Sequence, residues 1–322
     1  GLAWSPDGSQ IAFSMRVPQA PPVLASLPKQ PKDANWAGAP RITDRLYHEA
    51  DGRGYIPPGY QHIFVIPSEG GAYRQLSTGD FNHRGRLSWG PDSQTLYFSG
   101  NRNEDWEYDF RNSEIYALSL EDGSIKALTD TPGPDTEPAV SPDGSLIAYR
   151  GYEDKVQTYQ VSTIKVMRAD GSEKRVLTEG LDRSASDLQW DAKGRGLYFT
   201  YDEYGNTKIG YVDLRGNVRK VADNLGGTTI GRPYGGGSYS LSGDGNIAYT
   251  FTRPEFPADL AVVRGGKGSP RRITQLNKGL LDQRKLGRVE EIWYESSVDG
   301  RRIQGWLVYP PDFDPSKAYP LL

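Results

Sequence analysis

The chain has 322 residues, a formal charge of −3 with both signs interspersed, no cysteine and only two methionines. That length is enough for one large domain or two ordinary ones; the mild acidity leaves no electrostatic footprint for nucleic acid or an anionic membrane surface, and the lack of cysteine excludes disulfides and thiolate chemistry. No apolar run approaches the roughly 20 residues that span a bilayer, whereas short apolar bursts between Gly, Pro and Asp favour many short strands over long helices. A cysteine-free chain suits cytoplasm and bacterial periplasm equally. The N-terminus shows no basic-then-apolar leader, but Gly1 already stands inside a repeat, so a leader further upstream stays compatible with the sequence.

The repeat begins at once. "LAWSPDGSQIAFS" at 2–14 recurs as "LSWGPDSQTLYFS" at 87–99, "PAVSPDGSLIAYR" at 138–150, "LQWDAKGRGLYFT" at 188–200 and "YSLSGDGNIAYTF" at 239–251, the last four spaced by about 50 residues. Each copy predicts a strand, a turn and a strand. Trp4, Trp89 and Trp190 anchor the end of the first strand, while Pro-Asp-Gly supplies a fixed φ, a capping carboxylate and a residue tolerant of positive φ. After each copy comes a second predicted hairpin: "HIFVIPSEGGAYRQLS", "EIYALSLEDGSIKALT", "TIKVMRADGSEKRVLT", "KIGYVDLRGNVRKVA" and "DLAVVRGGKGSPRRIT". Two hairpins give four antiparallel strands, which is one blade of a β-propeller, and blades packed radially bury both faces of each sheet. The expected fold is therefore all-β, with five blades visible over 1–285. Six to eight are expected in the full ring, part of one lying upstream of Gly1. Turn chemistry and blade packing account for the tryptophans and Pro-Asp-Gly turns without any binding role.

Two segments interrupt the rhythm. Residues 17–61 form an insertion rich in proline, glycine and aromatic residues, and "NRNEDWEYDFRNS" at 101–113 extends an inter-strand loop with charge and aromatic rings. Long excursions from a rigid scaffold concentrate function or mobility. His48, His62 and His83 are separated in sequence, so no metal site or cofactor is expected. "GGTTIG" at 226–231 has phosphate-loop glycine spacing but lacks the Lys-Ser/Thr and the helix that such a loop needs, and reads as a plain loop.

After Lys278 the repeats stop. "RVEEIWYESSVDGRRIQGWLVYPPDF" predicts two strands about an Asp-Gly turn, followed by "DFDPSKAYPLL" instead of another Pro-Asp-Gly copy. The stretch "SVDGRRIQGWLVYPPDFDPSKAYPLL" resembles the passage from an N-terminal β-propeller into an α/β-hydrolase domain in serine peptidases of the prolyl oligopeptidase family, especially acylaminoacyl-peptidase and dipeptidyl-aminopeptidase-like members. The blade sequences "WSPDGSQIAF" and "SPDGSLIAYRGYED" are similar to its propellers as well. The resemblance implies that 286–322 are a linker and the opening strands of a hydrolase domain, with the catalytic Ser, Asp and His beyond Leu322. No Gly-x-Ser-x-Gly elbow occurs within 1–322, so no catalytic residue is assigned here. It also implies a propeller that gates and orients short peptides for its own hydrolase domain, with self-association left open.

In that family some propellers hold a substrate's free amino terminus between carboxylates. "EDWEYD" is similar to the Asp-Trp-x-Tyr-Glu-Glu stretch of dipeptidyl peptidases, which points to Glu104, Asp105, Glu107 and Asp109, with Arg111 beside them, as substrate-binding candidates. Asp109 takes the place of the first glutamate after the tyrosine, and Phe110 that of the second. The competing reading of the loop is a solvated acidic patch neutralised by Arg102 and Arg111. At the level of the whole chain the alternative is a free-standing interaction propeller resembling that of the periplasmic Tol system; a metal-dependent propeller lyase is disfavoured by the scattered histidines. If "IQGWLVY" lacks a partner strand, a chain ending at Leu322 should be less soluble than one ending near Lys285.

Overall fold

In a computed structural model, the structure describes residues 1–20, 23, 25, 28–38, 40–227 and 236–322. Residues form two compact units, Gly1–Trp190 and Asp191–Leu322. In the first unit, β1 (Leu2–Trp4), β2 (Gln10–Pro18), β5 (Gly59–Pro67) and β6 (Arg74–Gln75) make one four-stranded antiparallel sheet in that order; β3 (Glu49–Ala50) and β4 (Gly54–Tyr55) form a small hairpin within the insertion. The next sheet runs from β7 (His83–Trp89) through β8 (Thr95–Gly100) and β9 (Glu114–Ser119) to β10 (Ile125–Ala127). The third comprises β11 (Asp135–Val140), β12 (Leu146–Gly151), β13 (Thr163–Arg168) and β14 (Arg175–Val176), and β15 (Ala185–Trp190) closes the unit.

The second unit contains β16 (Gly196–Glu203), β17 (Asn206–Asp213), β18 (Val218–Leu225), β19 (Tyr239–Leu241), β20 (Ile247–Arg253), β21 (Phe256–Val263) and β22 (Arg271–Arg272). Leu225 pairs with Phe251 to join β18 to β20. Among the described residues the last two strands, β23 (Val289–Glu295) and β24 (Arg302–Val308), pair only with each other. They extend no blade. Trp306 instead lies where a Cβ on Gly205 would stand, and Gln304 donates to the Tyr204 carbonyl at 3.2 Å, seating this hairpin on the β16–β17 turn.

The expected strand-turn-strand copies form as β1/β2, β7/β8, β11/β12 and β19/β20. Their turns are closed by the chemistry the sequence supplies: Ser141 Oγ donates to Asp143 Oδ1 at 2.6 Å, Gly144 N–H donates to the Ser141 carbonyl, and Gly144 takes φ +73°. A Cβ at Gly144 would also meet Pro91 of the preceding turn at 2.4 Å, so glycine is required for space as well as for backbone conformation. The tryptophans divide. Trp89 donates from Nε1 to the Ala3 carbonyl at 2.9 Å and Trp190 to the Ala139 carbonyl at 2.8 Å, each stitching its strand to the first strand of the preceding sheet. Trp4, expected to be a third anchor, is 60% exposed, and among the described residues no first strand of a preceding sheet stands beside β1.

Apolar side chains alternating along these strands build the cores. Leu96, Phe98, Tyr116 and Leu118 pack with Ile63 and Val65 between the first two sheets, Ile147, Tyr149 and Met167 pack with Tyr97 and Ile115 between the next two, and Ile209, Ile247 and Tyr249 centre the second unit. Phe98 is fully buried and stacks on Tyr116 at 5.3 Å. Truncating such a ring costs about 3–5 kcal/mol.

A hydroxyl fastens the outer edge of four hairpins. The N–H groups of Ile63, Ile115, Ile164 and Leu260 donate to the side-chain oxygens of Ser77, Thr129, Thr178 and Thr274, each 14 residues downstream, at 2.8–2.9 Å. The residue before each donor is polar: His62, Glu114, Thr163 and Asp259. These are the first and last residues of the hairpin strings quoted above; "KIGYVDLRGNVRKVA" lacks the closing hydroxyl.

Candidate functional site

The two segments that interrupt the repeat meet in the first unit. After β8, residues 101–113 wind into stacked turns, with Tyr108 N–H donating to the Asp105 carbonyl at 2.8 Å and Asn101 Nδ2 to the Asp109 carbonyl at 2.7 Å. Leu46 and Tyr47 of the insertion, with Asn82, Asn101, Trp106, Glu107 and Phe110, enclose a cleft of about 470 Å³. Trp106 is fixed edge-on to Tyr60 at 6.3 Å, and the Arg45 guanidinium covers the Tyr60 ring at 4.2 Å. Glu107 bridges the segments: its Oε2 accepts the Leu46 N–H at 3.4 Å, while Oε1 is buried with no hydrogen-bond partner. An unsatisfied buried carboxylate oxygen is a standing cost, and an N–H donor entering the cleft would relieve it.

Of the other candidates, Glu104, Asp105, Asp109 and Arg111 are exposed and none lines the cleft. The expected neutralising arginines are engaged elsewhere. Arg111 faces Asp154 at 3.8 Å, and Arg102 turns inward to His83. Neither forms an ion pair with the loop's acids, so the picture of an acidic patch cancelled by these two residues is corrected.

The histidines also differ from their separation in sequence. Strands β5 and β7 bring His62 and His83 to 5.4 Å between ring centroids. His83 is buried; the Arg102 guanidinium donates to its Nε2, so its proton sits on Nδ1 and is donated to the Gln61 carbonyl at 3.1 Å. Burial, reinforced by Arg102 and His62, pulls its pKa down to about 4 against the Gln61 hydrogen bond. His83 is therefore a neutral support for Arg102, at the root of the loop that carries Glu107.

A second depression, about 390 Å³, shares Asn82, Asn101 and Phe110 with the first and reaches Thr136, Glu137 and Arg150. Glu137 accepts from Arg150 at 2.9 Å and from the Asp187 N–H at 3.1 Å, while Arg86 donates to the Leu188 carbonyl at 2.8 Å and faces Asp187 at 3.8 Å. Glu137 and Asp187 hold φ of +56° and +54°. Glu137 occupies a register irregularity between Thr136 and Ala139, and at both positions a non-glycine residue in left-handed conformation is strained and over-determined by its contacts. Sequence reasoning missed this group. Its trace was charge placed just before the apolar end of first strands, in "RGRLSW", "DTEPAV" and "ASDLQW".

Also missed was a buried polar chain behind the second and third sheets. Thr129 donates to Glu114 Oε2, and Lys165 Nζ donates to Asp135 Oδ1 at 2.9 Å. Burial, with Asp135 nearby, pushes Glu114 up to about 7 despite the Thr129 bond, and burial likewise raises Asp135 although Lys165 opposes it. Of the "GGTTIG" loop, Gly226 and Gly227 both take positive φ, and 228–231 lie outside the described residues. No group of three or more His, Asp or Glu side chains is arranged for a metal ion among the described residues.

Residues 50–158, which include the 101–113 loop but not Leu46 and Tyr47 of the cleft, match the family model of the dipeptidyl peptidase IV N-terminal region. The whole chain is 26% identical to dipeptidyl-peptidase 5 of Porphyromonas gingivalis and covers 47% of that protein. Among solved structures, the acylaminoacyl peptidase of Pyrococcus horikoshii aligns with 96% of the chain and 43% of its own at a TM-score of 0.68 and 16% identity. TolB of Acinetobacter baumannii aligns with 82% of the chain and 51% of its own at 0.52 and 18%. The structural likenesses establish the fold: the four-stranded sheets are propeller blades. The chain spans about half the length of the curated relative it matches.

Proposed function

We propose, from the premise that this chain is a propeller related to those of the dipeptidyl and acylaminoacyl peptidases, that it gates and orients short peptides for a serine peptidase. Residues 286–322 would lead into the α/β-hydrolase domain of that enzyme, which supplies Ser, Asp and His. The observation that carries this reading is similarity to dipeptidyl-peptidase 5 along the entire chain, including 286–322, where the blades have ended. A Tol-like interaction propeller gives no account of that segment.

Within this reading the cleft receives the peptide's amino end. An ammonium group donates to the open oxygen of Glu107, and the aromatic walls hold the first side chains while lowering the local dielectric, which strengthens the charge pairing. Glu104, Asp105 and Asp109 are exposed acids of the same loop whose charge would draw a cationic terminus toward it; Arg111 holds the end of the loop through Asp154. The test is to assay chromogenic aminoacyl and dipeptidyl substrates with the whole protein and with residues 1–322 alone. Turnover abolished by a serine-directed phosphonate is expected only from the former; such turnover by 1–322, or none from the whole protein on any peptide, would overturn the assignment.

A further inference from the structure

The second unit carries a basin that the peptide-orienting reading does not use. Three tight connections frame it: the turn after Asp191, the turn after Asp213, and the 264–268 loop that follows β21. Together they enclose about 570 Å³. Its floor is aromatic. Tyr198 and Tyr211 pack edge to face at 4.9 Å, and the Tyr211 hydroxyl donates to Asp191 Oδ2 at 2.8 Å. Four cations, Arg195, Arg215, Arg219 and Lys267, surround this floor against two carboxylates, Asp191 and Asp213, in a chain whose overall charge is −3.

Most of this framework is already engaged. Arg195 faces Asp191 at 3.7 Å, and Asp213 is consumed by its own turn, accepting from the Arg215 and Asn217 N–H groups at 2.9 Å. Arg219 lies over the Tyr211 ring at 4.7 Å and donates to the Gly266 carbonyl at 3.0 Å, which fixes its guanidinium at the wall. Three donors are left over. The side chains of Arg215 and Lys267 make no hydrogen bond or ion pair among the described residues, and neither does the hydroxyl of Tyr198, although that residue is only 5% exposed. The hydroxyl stands where a Cβ on Gly266 would come within 2.4 Å, and Gly266 takes φ +61°, so glycine there keeps the hydroxyl's place clear. The Tyr198 ring is buried while its hydroxyl is left open on the basin side, free to donate to a ligand there.

We propose that this basin binds a small tetrahedral oxyanion, a phosphate or sulfate group either free or carried on a small molecule. Arg215 and Lys267 supply the charge and the Tyr198 hydroxyl a directed donor, a combination suited to several acceptor oxygens at once. Carboxylates satisfy it less fully, having two oxygens instead of three or four.

The test is isothermal titration of the 322-residue chain with inorganic phosphate, with sulfate and with acetate, each against sodium chloride at matched ionic strength. Saturable binding of phosphate and sulfate in the low-millimolar range is expected, with acetate at least tenfold weaker. The R215Q/K267Q pair should abolish it, and Tyr198→Phe, which keeps the ring packed, should weaken it about tenfold. If chloride reproduces the signal, if phosphate gives no saturable heat, or if the variants bind as the parent does, the site does not exist. A thermal melt of each variant separates lost binding from lost folding. Peptidase activity of the whole protein is a separate readout, so either result here leaves the peptide-orienting reading to its own test.

Discussion

Glu114 and Asp259 stand at the same register of two hairpins, each 15 residues before a threonine whose hydroxyl donates to it. They differ in charge. Arg272 pairs with Asp259, and the Leu276 N–H donates to it at 2.8 Å; with Thr274 these hold its pKa below the usual carboxylate range although burial opposes them. Among the described residues no cation forms an ion pair with Glu114; burial, with Asp135 and Asp130 nearby, raises its pKa to about 7, and Lys174 opposes this only weakly from a distance. The residue two places before the threonine decides this, arginine in "RRIT" and alanine in "KALT". Register supplies the hydroxyl, and one neighbouring side chain supplies the ionisation state.

The largest break comes from Arg272→Gln. It leaves the 2%-exposed Asp259 without its counter-charge and held only by the Thr274 hydroxyl and the Leu276 N–H, at a cost on the order of 3 kcal/mol in urea unfolding at neutral pH, whereas Asp259→Asn in the same background recovers most of that loss. Glu114→Gln goes the other way. Below pH 4.5 the glutamate is protonated folded and unfolded and contributes nothing. Between 4.5 and about 7 only the unfolded chain ionises, so the native state loses stability as pH rises, and above 7 the penalty stays constant. The substitution should therefore stabilise by up to about 3 kcal/mol at pH 8, less whatever residual solvent screening removes, and by under about 0.5 kcal/mol at pH 4.5. It should also expose the opposing slope from His83, whose lowered pKa removes stability as pH falls from 6.5 toward 4.

Smaller effects sharpen the comparison. At pH 5, Thr274→Val removes a donor to a charged acceptor and Thr129→Val a donor to a neutral one, while both orphan the N–H that the hydroxyl accepted, so the first should cost about 1 kcal/mol more than the second, read from paired denaturation curves. Ala127→Arg, which reproduces the "RRIT" pattern, should lower the Glu114 pKa and flatten the stability profile between pH 4.5 and 7.

The blades were legible in the sequence because turn residues and alternating apolar positions are local signals: "SPDG" writes its own hydrogen bonds, and Leu96 and Phe98 alternate onto the buried face of one strand. The hydroxyl clasp was present in the quoted strings, but its meaning depends on two strands meeting in register. The exposure of Trp4 has the same origin, since a tryptophan at this register is buried by the first strand of a preceding sheet, as Trp89 and Trp190 are, and not by its own strand. The cleft was half legible. Charge and aromatic density marked 101–113, but only folding against Leu46 separates Glu107 from the exposed Glu104, Asp105 and Asp109. The Glu137–Arg150–Asp187 group, assembled from three strands, left no local pattern.

The reading of the cleft is tested most directly by Glu107→Gln in the whole protein, comparing kcat/KM on a dipeptidyl substrate with a free amino terminus and on its N-acylated counterpart. A loss of at least tenfold on the free peptide, with the acylated one nearly unchanged, is the expected result. Equal losses on both, or none, would contradict amine recognition by this glutamate.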